Sequence, residues 1–180
     1  MKQKIISMLI GSAAILSAAS CFADSGTANI HFKGTVANMS CTVQVNNASG
    51  DASLEMGTID ISKVAVGGAS DPYAFEVELT GCPSSMQGAE VTFMGTPSTD
   101  NQYFSVNGTD DSLGLAISDT TSGESATTAP VLPNVLDPYG MRKDGTNGFK
   151  GTYTAQLVKL KEGVTNTSFD VSTSVNIAYM

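Results

Sequence analysis

The side chains that could carry out chemistry are few. His31 is the sole histidine among 180 residues, so a Ser-His-Asp triad or a histidine metal cluster would have to be built around it. Asp110 and Asp111 lie in a Gly-Thr-Asp-Asp-Ser stretch typical of a solvated turn, where adjacent carboxylates point apart. Gly67 and Gly68 open no helix of the kind that binds a nucleotide. We therefore predict no catalytic, cofactor-binding or metal-binding residues and expect that the chain is not an enzyme.

The first 23 residues have the three parts of a secretory signal. Lys2 and Lys4 precede an apolar run from Ile5 to Leu16, and small residues follow up to Ala23. The run is shorter than the roughly 20 residues that a membrane-spanning helix needs, which disfavours a membrane anchor. We predict that residues 1–23 are a cleaved signal peptide and that the protein is exported.

The cysteines predict one disulfide. Cys21 would leave with the signal; the alternative, lipidation of Cys21, lacks the usual leucine upstream. Cys41 and Cys82 then remain as an even pair in an exported protein. Closing a loop of about 41 residues would stabilise the fold by roughly 4 kcal/mol on the chain-entropy account.

Composition and patterning predict a single all-β domain. The formal net charge of −8 becomes more negative once the two signal lysines are removed, which argues against nucleic acid as a partner. No long stretch repeats apolar residues with a helical period, although one helical turn is expected near residues 59–64. Turn clusters at 47–51, 67–72, 97–101 and 144–148 separate short alternating runs, the pattern of a β-sandwich.

The last residues predict the clearest strand. Apolar and polar positions alternate strictly, which places one set on the core face and the other in water. The predicted core-facing set is Phe169, Val171, Thr173, Val175, Ile177 and Tyr179.

A second alternating segment follows the predicted cleavage site. One phase contains Ala28, Ile30, Phe32, Gly34 and Val36. From the alternation alone this segment is either an ordinary first strand of the domain or an extended segment that packs elsewhere. Gly34 offers no side chain to pack and often marks close approach of another backbone.

Several stretches together resemble the chaperone-usher pilin family, which includes the type 1 fimbrial subunits. The resemblance covers almost the whole mature chain. It is carried by Ile30–Val36 with Cys41 following, by Pro72–Leu79 leading into Gly81-Cys82-Pro83, by Leu113–Ile117, and by a terminal strand with tyrosine next to last.

The resemblance implies an immunoglobulin-like sandwich that lacks its final strand and is completed by a donor strand from a neighbouring subunit. Residues 24–36 would be the donor-strand extension and residues 37–180 the pilin domain. The donor residues would be Ala28, Ile30, Phe32, Gly34 and Val36. The acceptor groove and chaperone-binding edge would comprise Val171, Thr173, Val175, Ile177 and Tyr179.

The implied partners are other copies of the chain or similar pilus subunits, a periplasmic chaperone and an outer-membrane usher. The implied location is a fimbria at the cell surface, reached through the periplasm, with a role in adhesion. The alternative is a minor tip or adaptor subunit, or a single-domain adhesin that binds a glycan or protein of a host surface. An additional N-terminal receptor domain would not fit, because Cys41 lies only 18 residues after Ala23.

Overall fold

The structure, a computed structural model, describes residues 41–106, 111–121, 128–164 and 168–180. The predicted signal peptide, the segment 24–36 and Asp110 lie outside these residues. Every regular element in the described part is a β-strand, so the predicted all-β class is confirmed. No helix long and apolar enough to cross a membrane is found in the described part.

Ten strands make up the described fold. In chain order they are β1 Thr42–Val45, β2 Ala48–Ser49, β3 Tyr73–Thr80, β4 Ala89–Met94, β5 Phe104–Ser105, β6 Leu113–Asp119, β7 Ala129–Val131, β8 Arg142–Lys143, β9 Phe149–Lys159 and β10 Ser174–Tyr179.

These strands form two antiparallel sheets. The larger sheet has the order β2-β1-β3-β9-β6-β5, with β7 added beside β6 and β8 beside β9. The smaller sheet pairs β10 with β4, from Ser174 opposite Met94 to Tyr179 opposite Ala89. The far edge of β4 is bound by the segment 134–141, through bridges such as Thr92 to Leu136.

The core lies between the inward faces of the sheets because alternate residues of each strand point to the same side. In β3, β4 and β9 buried residues alternate with partly exposed ones over most of the strand length. The buried apolar members of these three strands are Phe75, Val77, Leu79, Ala89, Val91, Phe93, Phe149, Tyr153, Ala155, Leu157 and Val158.

Three aromatic rings join the two sheets at the centre of this core. Phe93 of β4 meets Tyr153 of β9 edge to face, with ring centroids 4.9 Å apart. Phe75 of β3 stacks on Tyr153 at 5.5 Å and meets Phe93 edge to face at 6.2 Å. Such pairs add about 0.5–1.5 kcal/mol each to the stabilisation that comes from area burial. The rings therefore fix how the small sheet sits on the large one.

Three predicted turn clusters, 67–72, 97–101 and 144–148, fall between strands, the fourth, 47–51, contains β2, and no helix is found over residues 59–64. Asn46 and Asn47 have φ of 48° and 66°, the left-handed conformation that a two-residue hairpin turn between β1 and β2 requires. Near residues 59–64 the chain makes a single turn closed by the Val64 amide on the Ile61 carbonyl at 3.2 Å.

The last strand is shorter than the sequence pattern predicts. It begins at Ser174 rather than near Phe169 because its partner β4 ends at Met94. Beyond that point the Asn134 side chain binds both the amide and the carbonyl of Gly95, at 3.1 and 2.9 Å. The Phe93 and Val91 carbonyls accept from the same segment, so these bonds lie on the edge of β4 away from β10 and attach the segment 134–141 to the end of β4.

The predicted disulfide closes one corner of the large sheet. Cys41 directly precedes β1 and Cys82 follows β3, and their Cα atoms are 4.6 Å apart. The two strands are antiparallel, with Thr42 opposite Thr80 at the same corner. The bond thus joins adjacent strand ends, and Cys82 itself is buried in the core.

Replacing both cysteines, by Cys41→Ala with Cys82→Ala, should lower the free energy of unfolding by about 4 kcal/mol, because the unfolded chain regains the entropy of an open loop. Chemical denaturation of the mature chain measures this difference. Mass spectrometry provides the control, since reduction of the native protein should add two hydrogen atoms; two free thiols in natively exported protein would contradict the assignment.

Candidate functional site

The described part contains an open groove of about 910 Å³. One wall is the continuous segment Leu54–Ser62, and the opposite wall contains Val164, Ser168 and Phe169. Leu113 of β6 and Leu157 of β9 form the floor. Since both floor residues are buried core side chains, the groove opens onto the hydrophobic core.

The wall Leu54–Ser62 has apolar side chains but no strand partner among the described residues. Leu54 and Met56 are half-buried, as are Ile59 and Ile61, and all four pack against the core. The first pair occupies even-numbered positions and the second pair odd-numbered positions, so the alternation shifts by one residue between them. Gly57 lies between them with φ of 70°, a backbone conformation that glycine tolerates and that accounts for the shift.

β10 follows the opposite wall and presents an open edge. In the described part it pairs with β4 alone, so no described strand covers its other edge. An unpaired edge next to apolar side chains is a template for adding another strand.

The five predicted edge residues divide into two groups. Val171, Val175 and Ile177 are half-buried and pack against the core, in agreement with the alternation. Thr173 and Tyr179 are exposed, Tyr179 to 36%, so the prediction that the whole odd-numbered set lines the core is wrong for these two. Tyr179 lies at the last position of β10, where only Met180 follows.

None of these five residues lines the 910 Å³ groove; Phe169, two residues before Val171, does. The wall Leu54–Ser62 was not identified from the sequence. Its short apolar alternation was present, but the phase change at Gly57 breaks the period-two pattern on which a strand prediction relies. The predicted donor residues, from Ala28 to Val36, lie outside the described residues.

The rim of the groove is acidic. Glu55 and Asp60 alternate with the apolar residues of the wall and are exposed. The Ser62 hydroxyl and then the Ser62 amide donate hydrogen bonds to Asp60 Oδ1, and these bonds lower the pKa of the Asp60 carboxyl. Lys63 Nζ lies 4.0 Å from Asp60 Oδ2 and offsets part of the negative charge of the rim.

The geometry is suited to binding an extended peptide. A strand laid in the groove could form ladder hydrogen bonds with an open edge and bury alternate side chains over Leu113 and Leu157. Among the described residues no three His, Cys, Asp or Glu side chains are grouped as metal ligands would be.

Comparisons with known proteins point to one group. The chain is 38% identical to the type-1 fimbrial protein, C chain, of Escherichia coli over 100 residues, 53% of this chain and 54% of that protein. It is 34% identical to the S-fimbrial protein subunit SfaA of E. coli O6:K15:H31 over 131 residues, which cover 67% of this chain and 71% of the relative. The chain thus spans about half the length of the first relatives it matches.

Solved structures agree on the fold. The P pilus rod subunit PapA superposes with a TM-score of 0.59 at 20% identity, over 84% of this chain and all of that chain. A chaperone-usher pilus structure superposes with a TM-score of 0.60, also at 20% identity, over 87% and 97%. At this identity the likeness concerns the fold alone, and it confirms the predicted immunoglobulin-like sandwich. No protein-family model matches the chain.

The identity to the S-fimbrial subunit extends over two thirds of both chains, which confirms the resemblance read from the sequence: this chain belongs to the family of type-1 and S-fimbrial subunits.

Proposed function

We propose that this protein is a structural subunit of an adhesive surface pilus and that it polymerises by donating its N-terminal segment to the groove of a neighbouring subunit. The observation that carries the proposal is the groove itself. A cleft with both apolar and polar side chains runs beside the wall Leu54–Ser62 and has core residues at its floor, and no described strand covers the second edge of β10. A stable globular domain normally covers such a surface.

The N-terminal segment fits the groove in length. The stretch from Ala28 to Val36 and the wall from Leu54 to Ser62 contain nine residues each. A nine-residue strand is about 30 Å long, so one extended segment could follow the entire wall.

The segment also has suitable side chains. Ile30 and Phe32 share the phase that would face the floor, and each large apolar side chain contributes about 1.5–3 kcal/mol when it is fully buried. Gly34, in the same phase, allows close approach of the two backbones.

Charge supports the same pairing. The opposite phase of the segment contains His31 and Lys33, and it would stay at the surface when the apolar phase is buried. The exposed rim contributes the carboxylates of Glu55 and Asp60. A basic strand face beside an acidic rim favours association and should weaken as salt increases.

The open groove also accounts for helper proteins. Before a neighbour arrives, the uncovered edge and cleft would promote aggregation. We therefore infer that a periplasmic chaperone covers the groove first and that an outer-membrane usher receives the subunit. The signal peptide leads the chain to the periplasm, and assembly places it in a fimbria on the cell surface.

A purely structural role accounts for these features without catalysis, so we infer that the protein is not an enzyme. Its relatives have the names of fimbrial proteins and subunits, which does not favour the alternative of a tip or single-domain adhesin. Contact between the assembled fibre and a host-surface receptor remains part of the proposed adhesive role.

Ile177→Asp should reduce chaperone binding and the periplasmic level of the subunit, because a charge would replace an apolar side chain that packs against the core at the β10 edge. Asn176→Asp is the matched control: it adds the same charge at an exposed neighbouring position and should have little effect. Tyr179→Ala should also weaken chaperone capture. Immunoblots and co-purification measure both quantities; normal levels of Ile177→Asp would refute the edge assignment.

Deleting residues 24–36 should abolish fibres seen by electron microscopy while chaperone binding persists, because the donor is lost and the groove is kept. The single change Phe32→Asp should have the same effect, whereas Lys33→Asp, on the opposite phase, should still allow fibres. Fibres of the deletion variant would disprove donation by this segment.

Placing a copy of the deleted segment after Met180 through a flexible linker should produce a monomer. The groove would then be filled within one chain, at the high effective concentration of a tethered strand. Its unfolding midpoint should lie at higher denaturant concentration than that of the deletion variant, as sedimentation and urea titration would measure. A fused chain that gains no stability would contradict the proposal.

A further inference from the structure

Two buried carboxyl groups interact at the junction of the sheets, and the proposed function makes no use of them. Asp119, the last residue of β6, is 0% exposed, and Asp137 is 3% exposed. Acidic side chains are almost never fully buried unless they are paired. In the described part the partner is not a lysine or arginine, since the ion pairs found there involve neither residue.

Backbone pairing and one side-chain hydrogen bond hold these two residues in place. Asp119 lies directly opposite Tyr153 in the ladder between β6 and β9. Asp137 belongs to the segment beside β4, where its amide donates to the Val91 carbonyl at 2.8 Å. The Tyr153 hydroxyl donates to Asp137 Oδ2 at 2.9 Å. The cluster therefore links the large sheet to the small one.

One oxygen in this cluster lacks a donor. Asp119 Oδ1 accepts the Thr121 amide at 2.6 Å, but Asp119 Oδ2 is buried with no hydrogen-bond partner among the described residues. A buried acceptor without a donor is costly, and a buried negative charge costs more. A proton on the Asp137 carboxyl group would supply the missing donor and remove one of the two charges.

We propose that Asp119 and Asp137 share one proton at neutral pH, so that the carboxyl pair is a proton-dependent latch between the two sheets. The proton belongs to the pair rather than to one residue, as in other closely coupled carboxyl pairs. The inference is independent of polymerisation, because it concerns the core of a single subunit.

The surroundings favour the protonated form. Burial, and then repulsion by Asp119, raises the pKa of Asp137 from 3.8 to about 7. The hydrogen bond from Tyr153 and a weaker one from the Tyr139 amide act in the opposite direction. Burial and the Asp137 charge also raise the pKa of Tyr153, which therefore remains a donor. From β3 and β4 the aromatic neighbours of Tyr153 are the uncharged Phe75 and Phe93.

The direction of the pH effect follows from these values. A carboxyl group whose pKa is higher in the folded state than in the unfolded chain binds a proton more tightly when folded. Its contribution to stability is complete below the unfolded pKa and is lost as pH rises through about 7. Alkaline solution should therefore loosen the junction, because two adjacent buried carboxylates would repel each other.

Urea unfolding of the mature chain at a series of pH values tests the latch. Between about pH 5 and about pH 8 the unfolding constant of the wild type should increase on the order of a hundredfold more than that of Asp137→Asn does. Asp119→Asn should remove this dependence too. Asp71→Asn changes an exposed aspartate and should leave the dependence unchanged.

Infrared spectroscopy of the folded wild type gives a second readout that survives if a variant fails to fold. A protonated carboxyl band should be present at neutral pH and disappear on alkaline titration, and the Asp71→Asn spectrum should retain it. Absence of the band, or equal pH dependence in the wild type and Asp137→Asn, would overturn the proposal. Loss of the pH response on adding EDTA would also overturn the proposal. It would show that a bound divalent cation, and not a shared proton, holds the two carboxylates together.

Discussion

A cleft that opens onto the core and a strand edge that no described strand covers constrain this molecule more than any other feature. Backbone amides and carbonyls at the β10 edge need partners, and the side chains over Leu113 and Leu157 need cover. One extended strand can meet both needs at once, because its backbone pairs while alternate side chains descend into the cleft. A helix or an irregular loop could cover the cleft but could not continue the ladder. If the N-terminal segment is donated as proposed, this double requirement would explain how a fibre forms from units joined by a single segment.

The rest of the fold keeps the cleft in shape. The rings of Phe75, Phe93 and Tyr153 lock the small sheet against the large one, so the position of β10 is set by packing that lies away from the groove. The buried carboxyl pair lies at the same junction, attached to Tyr153. Packing and the proposed proton binding therefore concern one junction of the sheets, while the proposed strand addition concerns a surface away from it.

The fold class and the disulfide were predictable because they depend on local signals. Alternation in β3 and β10, glycine and asparagine at turns, and an even cysteine pair are all visible along the chain. The wall Leu54–Ser62 was not predictable, since a positive φ at Gly57 shifts the alternation of its apolar residues by one position. The carboxyl pair was missed for another reason: Asp119 and Asp137 come together only through tertiary contacts, and an isolated aspartate in sequence reads as a surface residue. The start of β10 depended on where β4 ends, which the residues of β10 themselves do not encode.

The position of the disulfide has a mechanical meaning. Cys41 is the first described residue after the N-terminal segment, and its bond to Cys82 encloses β1, β2, β3 and the wall Leu54–Ser62 in a covalent loop. Tension that enters through the N-terminal segment passes across the sulfur atoms before it reaches any of these elements. However hard the chain is pulled at its ends, residues 42–81 cannot be drawn out in line unless the bond breaks. In a fibre under load, the wall Leu54–Ser62 of the proposed acceptor groove would thus lie inside the part of the domain that stretching cannot unravel.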